Sequence, residues 1–344
     1  MDSSNIQPPQ EAAALVRMAF GFVTTQVLSV AAELGIADHL AQGPLTAQDL
    51  ASKTGMHPDA LARLLRTLVV FGVLQCEGEN RFLLTPSGHF LRTDVPGSLR
   101  ATVRFLTGPW FWRAWEHLSY SVRTGQPAFD YAWGMSNFEY WERNPEVSAI
   151  HDDAMAGLTA LETARVLAAY DFSRFSTLVD VGGGNGAFLA ALLRQHPQTK
   201  GILADLPHVV AQATEILQQA GVASRCEVVG GDFFEAVPRG GSLYILKRVI
   251  HDWDDARART ILQNCHRVME AAARLVIIDC VLPPQPRAEA AMGYLSDLGM
   301  LVATPGGRER TQEEFQALLA STGFELTGVV RTGGLADIVE AQRH

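Results

Sequence analysis

The chain has 344 residues, enough for two domains with a sizeable buried core. Hydrophobic residues make up 47% and charged residues 19%, which is typical of a soluble globular protein. The net charge of −9 argues against nucleic acids and anionic membranes as partners, because both attract basic surfaces.

Targeting signals and disulfide bonds are not expected. No apolar run is long enough to span a bilayer, and the first ten residues lack the basic and apolar regions of a signal peptide. The cysteines are scattered and form no Cys-x-x-Cys pair, so they are interpreted as reduced thiols. The sequence therefore predicts a cytoplasmic location.

The N-terminal part predicts a helical domain. Residues 11–33 follow a helical period of apolar and small residues, which predicts one long helix packed closely against something, such as another subunit. A second helix is expected between the N-cap Thr46 and Gly55, and a third over residues 59–71. Residues 73–85 predict two strands around a turn. Helix, turn, helix and hairpin together give a winged-helix pattern.

The following segment, residues 101–170, predicts mostly helices and is rich in tryptophan. Five of the six tryptophans lie here: Trp110, Trp112, Trp115, Trp133 and Trp141. Core packing is the plainer interpretation, because aromatic side chains dominate buried area. The alternative is that some of them line a pocket for a flat substrate.

From residue 176 onward strands alternate with helices, which predicts a mostly parallel α/β sheet. The strand candidates are residues 177–181, 201–204, 226–229, 243–246 and 275–278, and the helices between them are residues 187–195, 209–220 and 256–270. A helix over residues 312–322 is followed by two strand candidates, 324–331 and 336–341. We expect these last two strands to pair antiparallel at one side of the sheet.

A glycine turn between the first strand and its helix predicts a cofactor site. Gly182, Gly184 and Gly186 follow Asp180, and a turn of this kind lets a ligand approach the backbone closely. The spacing also fits a dinucleotide fingerprint. Asp180 argues against a dinucleotide, because a pyrophosphate would then lie close to a carboxylate. It suits a ligand with an amino group and a sulfonium, as in S-adenosylmethionine.

Acidic residues also follow the next two strands. Asp205 ends the second strand about twenty residues later, where an acid can accept both ribose hydroxyls. Asp232 and Phe233 follow the third strand, where a carboxylate could bind an adenine amino group and an aromatic ring could pack on the base. The alternative is that Asp205 and Asp232 only cap the helices that follow them.

His251 is the candidate for the reactive group. It lies just beyond the fourth strand, at the edge where open α/β sheets bind ligands, and an imidazole titrates near neutral pH. Either Asp279, at the end of the fifth strand, or Glu309 could accept its second ring proton. Asp254 and Asp255 are interpreted as the cap and first turn of a helix, so no metal site is predicted.

These segments together closely resemble the small-molecule O-methyltransferases that use S-adenosylmethionine, both the plant caffeate and flavonoid type and the bacterial natural-product type. The matching segments are residues 178–186, 205–208, 231–235, 246–254 and 306–311. The resemblance covers nearly the whole chain. It implies an N-terminal winged-helix dimerisation domain over residues 1–100, a helical linker and substrate-pocket segment over 101–170, and a Rossmann-like class I methyltransferase sheet over 171–344, mostly parallel with an antiparallel last strand.

The resemblance also implies roles by position. The residues expected to hold S-adenosylmethionine are Asp180, Gly182, Gly184, Asp205, Leu206, Asp232, Phe233 and Lys247, the last largely through its backbone. His251 would be the general base, flanked by Asp279 and Glu309. Plant members usually have the longer Glu at the position of Asp279. Met155, Met300 and Thr304 match positions that line the acceptor pocket, and Thr304 replaces an Asn common in plant lignin enzymes, which suggests a different acceptor.

The expected function is therefore methylation of a phenolic hydroxyl of an aromatic small molecule by a homodimer. One alternative is a relative that keeps the cofactor but catalyses hydroxylation, decarboxylation or a pericyclic reaction, and the retention of His251 argues against it. An NAD-dependent oxidoreductase is disfavoured by Asp180. A winged-helix DNA-binding regulator is disfavoured because residues 1–100 hold seven Lys and Arg against nine Asp and Glu.

Overall fold

The computed structural model describes residues 10–78, 80–211 and 213–344. The expectation of an N-terminus without a signal peptide falls mainly on residues 1–9, outside these ranges. The chain forms two compact units, one made of the residues up to 112 together with 144–158, the other of residues 113–143 and 159–344. Each unit is described separately.

The first unit begins with helices and a small sheet. Its elements are α1 (Gln10–Ala19), α2 (Gly21–Glu33), α3 (Ile36–His39), β1 (Leu45–Thr46), α4 (Ala47–Thr54), α5 (Pro58–Val70), β2 (Leu74–Glu77), β3 (Arg81–Leu84), α6 (Pro86–His89) and α7 (Arg100–Thr107). The three strands form an antiparallel sheet in the order β1-β3-β2. The predicted cap of α4 is confirmed, since the Thr46 hydroxyl accepts the Asp49 amide at 3.1 Å and Gly55 ends the helix with a φ of 71°.

The prediction of one continuous helix over residues 11–33 is wrong. The helix breaks at Phe20, whose ψ is 1°, and α1 and α2 meet there at an angle of 40°. Gly21 follows the break. Apart from proline, glycine is the least favourable residue in a helix interior, because it loses the most backbone freedom there. Within the described residues, no single helix has both the length and the apolar character to cross a membrane; α1 and α2 meet that test only as a bent pair.

Further helices connect the small sheet to the large one. They are α8 (Pro109–Trp115), α9 (Leu118–Thr124), α10 (Ala128–Trp133), α11 (Asn137–Arg143) and α12 (Pro145–Ala169). In α10 and α11 the rings of Trp133 and Trp141 pack near Phe129, with centroids 6.4 and 5.4 Å away, and Trp141 is buried. For these two tryptophans the packing supports the core interpretation.

The second unit contains the large α/β sheet. Its elements are β4 (Thr177–Val181), α13 (Ala187–Gln195), β5 (Lys200–Asp205), α14 (Pro207–Val210), α15 (Ala213–Gln219), β6 (Cys226–Gly230), β7 (Leu243–Lys247), α16 (Asp255–Val268), β8 (Arg274–Asp279), β9 (Val281–Leu282), α17 (Ala291–Ala303), β10 (Arg310–Thr311), α18 (Gln312–Ala320), β11 (Phe324–Val330) and β12 (Asp337–Arg343). The predicted helix over residues 209–220 corresponds to α14 and α15. Residue 212, between them, lies outside the described residues.

The sheet has seven strands in the order β11-β12-β8-β7-β4-β5-β6. The strands from β6 to β8 pair parallel, and β12 runs antiparallel between β8 and β11, as expected for the end of the chain. Leu178 packs into one hydrophobic cluster and its neighbour Val179 into another, so both faces of β4 are covered. The chain passes from β4 to β5 and β6 on one side and then crosses back to β7 on the other side of β4, which makes the end of β4 the topological switch point.

Candidate active site

Polar side chains gather at the carboxyl ends of the parallel strands. Asp180 lies near the end of β4, and Asp205, Lys247 and Asp279 are the last residues of β5, β7 and β8. Because these strands run in the same direction, all four residues lie at one edge of the sheet, beside the switch point. Open α/β sheets bind their ligands at this edge.

The glycine turn after β4 packs closely against its neighbours on one side. Gly182 and Gly184 have φ values of 70° and 61°, a conformation that side chains rarely adopt. A Cβ atom at Gly182 would lie 2.8 Å from the Val249 side chain and 3.3 Å from the Phe233 ring. At Gly184 the same atom would meet nothing within 4 Å. The turn is thus anchored at Gly182 and open to a ligand at Gly184.

Asp180 is a buried acid with no hydrogen-bond partner. It is 1% exposed, and neither carboxylate oxygen has a partner among the described residues. Burial raises the pKa of Asp180 to about 7, against the opposing charge of Lys247. A Cβ atom at Gly183 would lie 2.7 Å from a carboxylate oxygen, so only glycine lets the turn cover this acid. A buried acceptor without a donor is costly, and a ligand with an N–H donor would satisfy it.

Asp205 holds the glycine turn in place. Its carboxylate accepts the amide of Gly184 at 2.8 Å and that of Leu206 at 2.7 Å. Each carboxylate oxygen keeps a further lone pair for a ligand. The carboxylate of Asp232 accepts the Phe234 amide at 2.8 Å, which fits the capping alternative in part. The Phe233 ring packs against Phe234 and lies against Gly182.

The side chain of Lys247 is engaged by residues that sequence reasoning missed. Its ammonium lies 3.2 Å from the Glu162 carboxylate and 3.3 Å from the Thr159 hydroxyl, both on α12. Glu162 also pairs with Arg248. Burial alone would raise the pKa of Glu162, but Arg248 and Lys247 together lower it. Nothing in the periodicity of α12 marks Glu162 as the partner of both cations.

His251 lies in a short 3₁₀ helix, Ile250–Asp252, just after β7. Its ring Nδ1 is 3.1 Å from a carboxylate oxygen of Glu309, and the ring is almost fully buried. Asp279 does not take this position. Its carboxylate accepts the backbone amide of His251 at 3.3 Å. Of the two acids expected to flank the histidine, Glu309 therefore binds the ring and Asp279 the main chain.

A small pair of strands brings Glu309 to the histidine. β9 continues from β8 just past Asp279, and β10 pairs parallel with it, with Arg310 opposite Val281. Ser296 of α17 donates its hydroxyl to Glu309 at 2.7 Å, on the same oxygen that meets His251. Sequence reasoning missed Ser296, because a serine within an apolar helix gives no signal of its partner.

The charges around His251 favour its protonated form. Burial would lower its pKa, but Asp252, Asp279 and Glu309 together raise that pKa to about 9. Burial raises the pKa of Asp279 to about 7. It also acts to raise the pKa of Glu309, but the contact with His251 outweighs this and lowers it. The imidazole is thus a stronger base than a free histidine.

The expected acceptor-pocket residues are found on two helices. Met300 and Thr304 lie at the end of α17, where the buried Thr304 hydroxyl donates to the Met300 carbonyl at 2.8 Å. Met155 lies on α12 in the first unit and is 36% exposed. Asp254 caps α16 by accepting the Arg257 amide at 2.8 Å, as the sequence indicated.

Comparison with known proteins gives the same family for both parts of the chain. A family model of the O-methyltransferase domain matches residues 115–325, and a model of the O-methyltransferase dimerisation domain matches residues 16–94. The phenazine O-methyltransferase PhzM of Lysobacter antibioticus is 43% identical over 328 residues, 95% of each chain. The chain belongs to the O-methyltransferase family.

Other relatives agree with this assignment. The O-demethylpuromycin-O-methyltransferase of Streptomyces alboniger is 41% identical over 332 residues, 95% of this chain and 88% of that protein. The crystal structure of CalO1, a methyltransferase in calicheamicin biosynthesis, in an SAH-bound form, is 37% identical with a TM-score of 0.88, and covers 99% of this chain and 100% of that one. The predicted family, fold class, O-methyltransferase activity and cofactor, S-adenosylmethionine, are confirmed.

The strand ends of this O-methyltransferase fit its cofactor. Asp180 offers a buried acceptor to an amino group, and Asp205 keeps lone pairs for hydroxyls beside the open backbone of Gly184. Acids at this edge suit a cationic ligand better than a pyrophosphate.

Gly182 and Gly184 give a matched test of how the glycine turn packs against Val249 and Phe233. Gly182→Ala and Gly184→Ala each place a side chain at positive φ, which costs about 1–2 kcal/mol. Gly182→Ala should lose more, because its Cβ atom also meets Val249 and Phe233. Urea unfolding of the two variants measures the difference. Equal losses would show that the contacts at Gly182 add nothing.

Proposed function

We propose that this O-methyltransferase methylates a hydroxyl of an aromatic acceptor and that His251 is the general base. The observation that carries the proposal is the buried contact between His251 Nδ1 and Glu309 at 3.1 Å, at the strand edge where ligands bind. The named relatives that act on phenazine and O-demethylpuromycin support an aromatic acceptor. Among the alternatives, relatives with non-methylating chemistry have less support, because a base held in this way serves deprotonation of a hydroxyl.

The cofactor is held by the residues at the strand ends in this proposal. Asp180 accepts a hydrogen bond from the amino group of its methionine part, and Asp205 accepts those of its ribose hydroxyls. Asp232 accepts one from its adenine amino group, while the Phe233 ring packs on the adenine ring. Gly182, Gly184 and Leu206 supply backbone beside them, and Lys247 contributes through its main chain because its ammonium is occupied by Glu162. When bound, S-adenosylmethionine supplies an activated methyl group.

Three expectations stay predictions: the acceptor-pocket roles of Met155, Met300 and Thr304, the domain boundaries, and the cytoplasmic location.

The protein's contribution to the reaction is to remove the acceptor proton. A carboxylate can only accept, so Glu309 fixes the proton of the neutral imidazole on Nδ1. Nε2 then has its lone pair directed away from Glu309, and its 3.6 Å separation from Asp252 is too long for a good hydrogen bond. A phenol has a pKa of about 10, close to the value of about 9 for His251, so proton transfer between them is nearly balanced.

Replacement of His251 tests the base directly. We expect His251→Ala to lose about 10²–10⁴-fold in turnover, because the acceptor proton then has no base. Affinity for S-adenosylmethionine, measured by calorimetry, should be preserved. His196→Ala, on a histidine after α13, is the control and should keep its activity. Turnover of His251→Ala within a fewfold of the unaltered enzyme would exclude this residue as the base.

The pH dependence tests the role of Glu309. With a pKa of about 9, roughly 1% of His251 is neutral at pH 7, so the rate should rise with pH until about 9. Glu309→Gln keeps an acceptor for Nδ1 but removes a negative charge, so the acid limb of the rate profile should move to lower pH. Glu313→Gln removes the same charge from the surface and should leave the limb in place. An unmoved limb in Glu309→Gln would contradict the assignment.

We further propose that the N-terminal unit forms a homodimer. It matches the family's dimerisation domain, and apolar side chains of α1 are exposed, with Leu15 at 68% and Met18 at 74%. Exposed apolar clusters of this kind mark interaction surfaces. Residues 1–100 hold more acidic than basic residues, whereas a DNA-binding domain needs a basic surface. This disfavours the alternative of a winged-helix DNA-binding regulator.

Light scattering at micromolar concentration should give twice the chain mass. Leu15→Glu should lower that mass towards one chain. Val122→Glu is the matched control, because Val122 is equally exposed at 68% but lies on α9. A monomer in the unaltered protein, or equal effects of the two substitutions, would rule out α1 as the dimer surface.

A further inference from the structure

The turn that carries His251 has little support of its own. Its two 3₁₀ hydrogen bonds, from the amides of Asp252 and Trp253, are both long at 3.3 Å. Arg248, just before the turn, has a φ of 56°, which a non-glycine residue adopts only at a cost in energy. The position of His251 therefore depends on contacts from outside the turn.

Besides Asp279, which accepts the His251 amide at 3.3 Å, three consecutive residues supply these contacts. The Arg308 amide donates to the His251 carbonyl at 2.8 Å, and the Glu309 carboxylate meets the His251 ring. The guanidinium of Arg310 donates to the carbonyls of Ile250 at 3.1 Å and Trp253 at 2.9 Å, on either side of the histidine. One short segment thus holds both the ring and the main chain around it.

The guanidinium of Arg310 is 1% exposed and fully engaged. Its other N–H groups donate to Asp255 at 3.2 and 2.8 Å and to the Arg308 carbonyl at 3.4 Å. An arginine has five N–H donors, and here each has an acceptor. Since Asp255 begins α16, the same side chain ties β10, the histidine turn and α16 together. A lysine could not do this, because it has three donors on one flexible point charge.

We propose that Arg310 is a positioning residue, which holds the His251 imidazole against Glu309 by fixing the main chain on both sides of it. The proposal rests on the proposed role of His251 as the base. Removal of the guanidinium leaves the carbonyls of Ile250 and Trp253 without their donor and lets the turn relax. The ring then leaves Glu309, although neither catalytic side chain has been altered.

The half-buried Arg225 offers a control for Arg310. The guanidinium of Arg225 also donates to backbone carbonyls, those of Leu193 at 2.7 Å and Thr199 at 2.6 Å. Arg225 directly precedes β6, so it lies at the amino ends of the parallel strands, whereas His251 lies at their carboxyl ends. Arg225→Met therefore removes the same group and similar bonds without touching the histidine turn.

The experiment compares Arg310→Met, Arg310→Lys and Arg225→Met. Hydrogen exchange of residues 248–255 should speed up by about tenfold or more in Arg310→Met, less in Arg310→Lys, and not at all in Arg225→Met. Turnover of the phenolic acceptor used for His251→Ala should fall about 10²-fold in Arg310→Met, since a shift of about 1 Å in a catalytic group has that effect. Affinity for S-adenosylmethionine should change less than about twofold.

The titration of His251 is the readout that a purely structural role would not move. Measured by NMR, its pKa should fall in Arg310→Met as the ring leaves Glu309, and stay in place in Arg225→Met. Faster exchange without a loss of turnover, or equal losses in Arg310→Met and Arg225→Met, would overturn the proposal. If Arg310→Met does not fold, an unchanged titration and turnover in Arg310→Lys would overturn it as well. Full turnover in His251→Ala would instead refute the base, while the exchange data still test the support of the turn.

Discussion

The contact between His251 and Glu309 is the interaction on which the rest of the site depends. The two residues are 58 positions apart, so β10 must return to the end of β8 before they can meet. The return requires a close approach of two backbones: a Cβ atom at Gly307 would lie 2.7 Å from the His251 carbonyl. Ser296 and Asp297 on α17 then hold Glu309 through its side chain and its amide. Many of the local features of this edge follow from the need to place one carboxylate beside one imidazole.

The same contact forces a concentration of buried charge that must be balanced. Asp279, Glu309 and Asp252 surround a single histidine, and burial penalises the ionised forms of His251, Asp279 and Glu309. Arg248 offsets part of this charge, since its guanidinium lies 3.8 Å from Glu309 and pairs with Glu162. Glu162 in turn holds Lys247, the last residue of β7. One chain of ion pairs therefore joins the residues proposed to hold the cofactor to the residues around His251.

Local patterns allowed the strands, the glycine turn and the histidine to be predicted, because alternating hydrophobicity and glycine spacing act over a few residues. The sequence also named Asp279 and Glu309 but gave no means to choose between them. The choice depends on the pairing of β9 with β10 and on the shorter reach of an aspartate, neither of which is local. Glu162 and Ser296 could not be predicted for the same reason. The break at Phe20 was missed because apolar periodicity continues through Gly21 without interruption.

Stability and reactivity depend on pH in opposite ways in this site. The pKa of His251 is raised from 6.5 to about 9, so its protonation stabilises the fold fully below 6.5, and this contribution is lost as the pH rises through 9. The pKa values of Asp180 and Asp279 are raised from 3.8 to about 7, so their protonation stabilises the fold at low pH and that contribution is lost as the pH rises through 7. A neutral imidazole, however, forms only as the pH rises. A cationic ligand beside Asp180 favours the ionised carboxylate, so cofactor binding offsets part of the stability that the ligand-free enzyme loses in the pH range where its base becomes active.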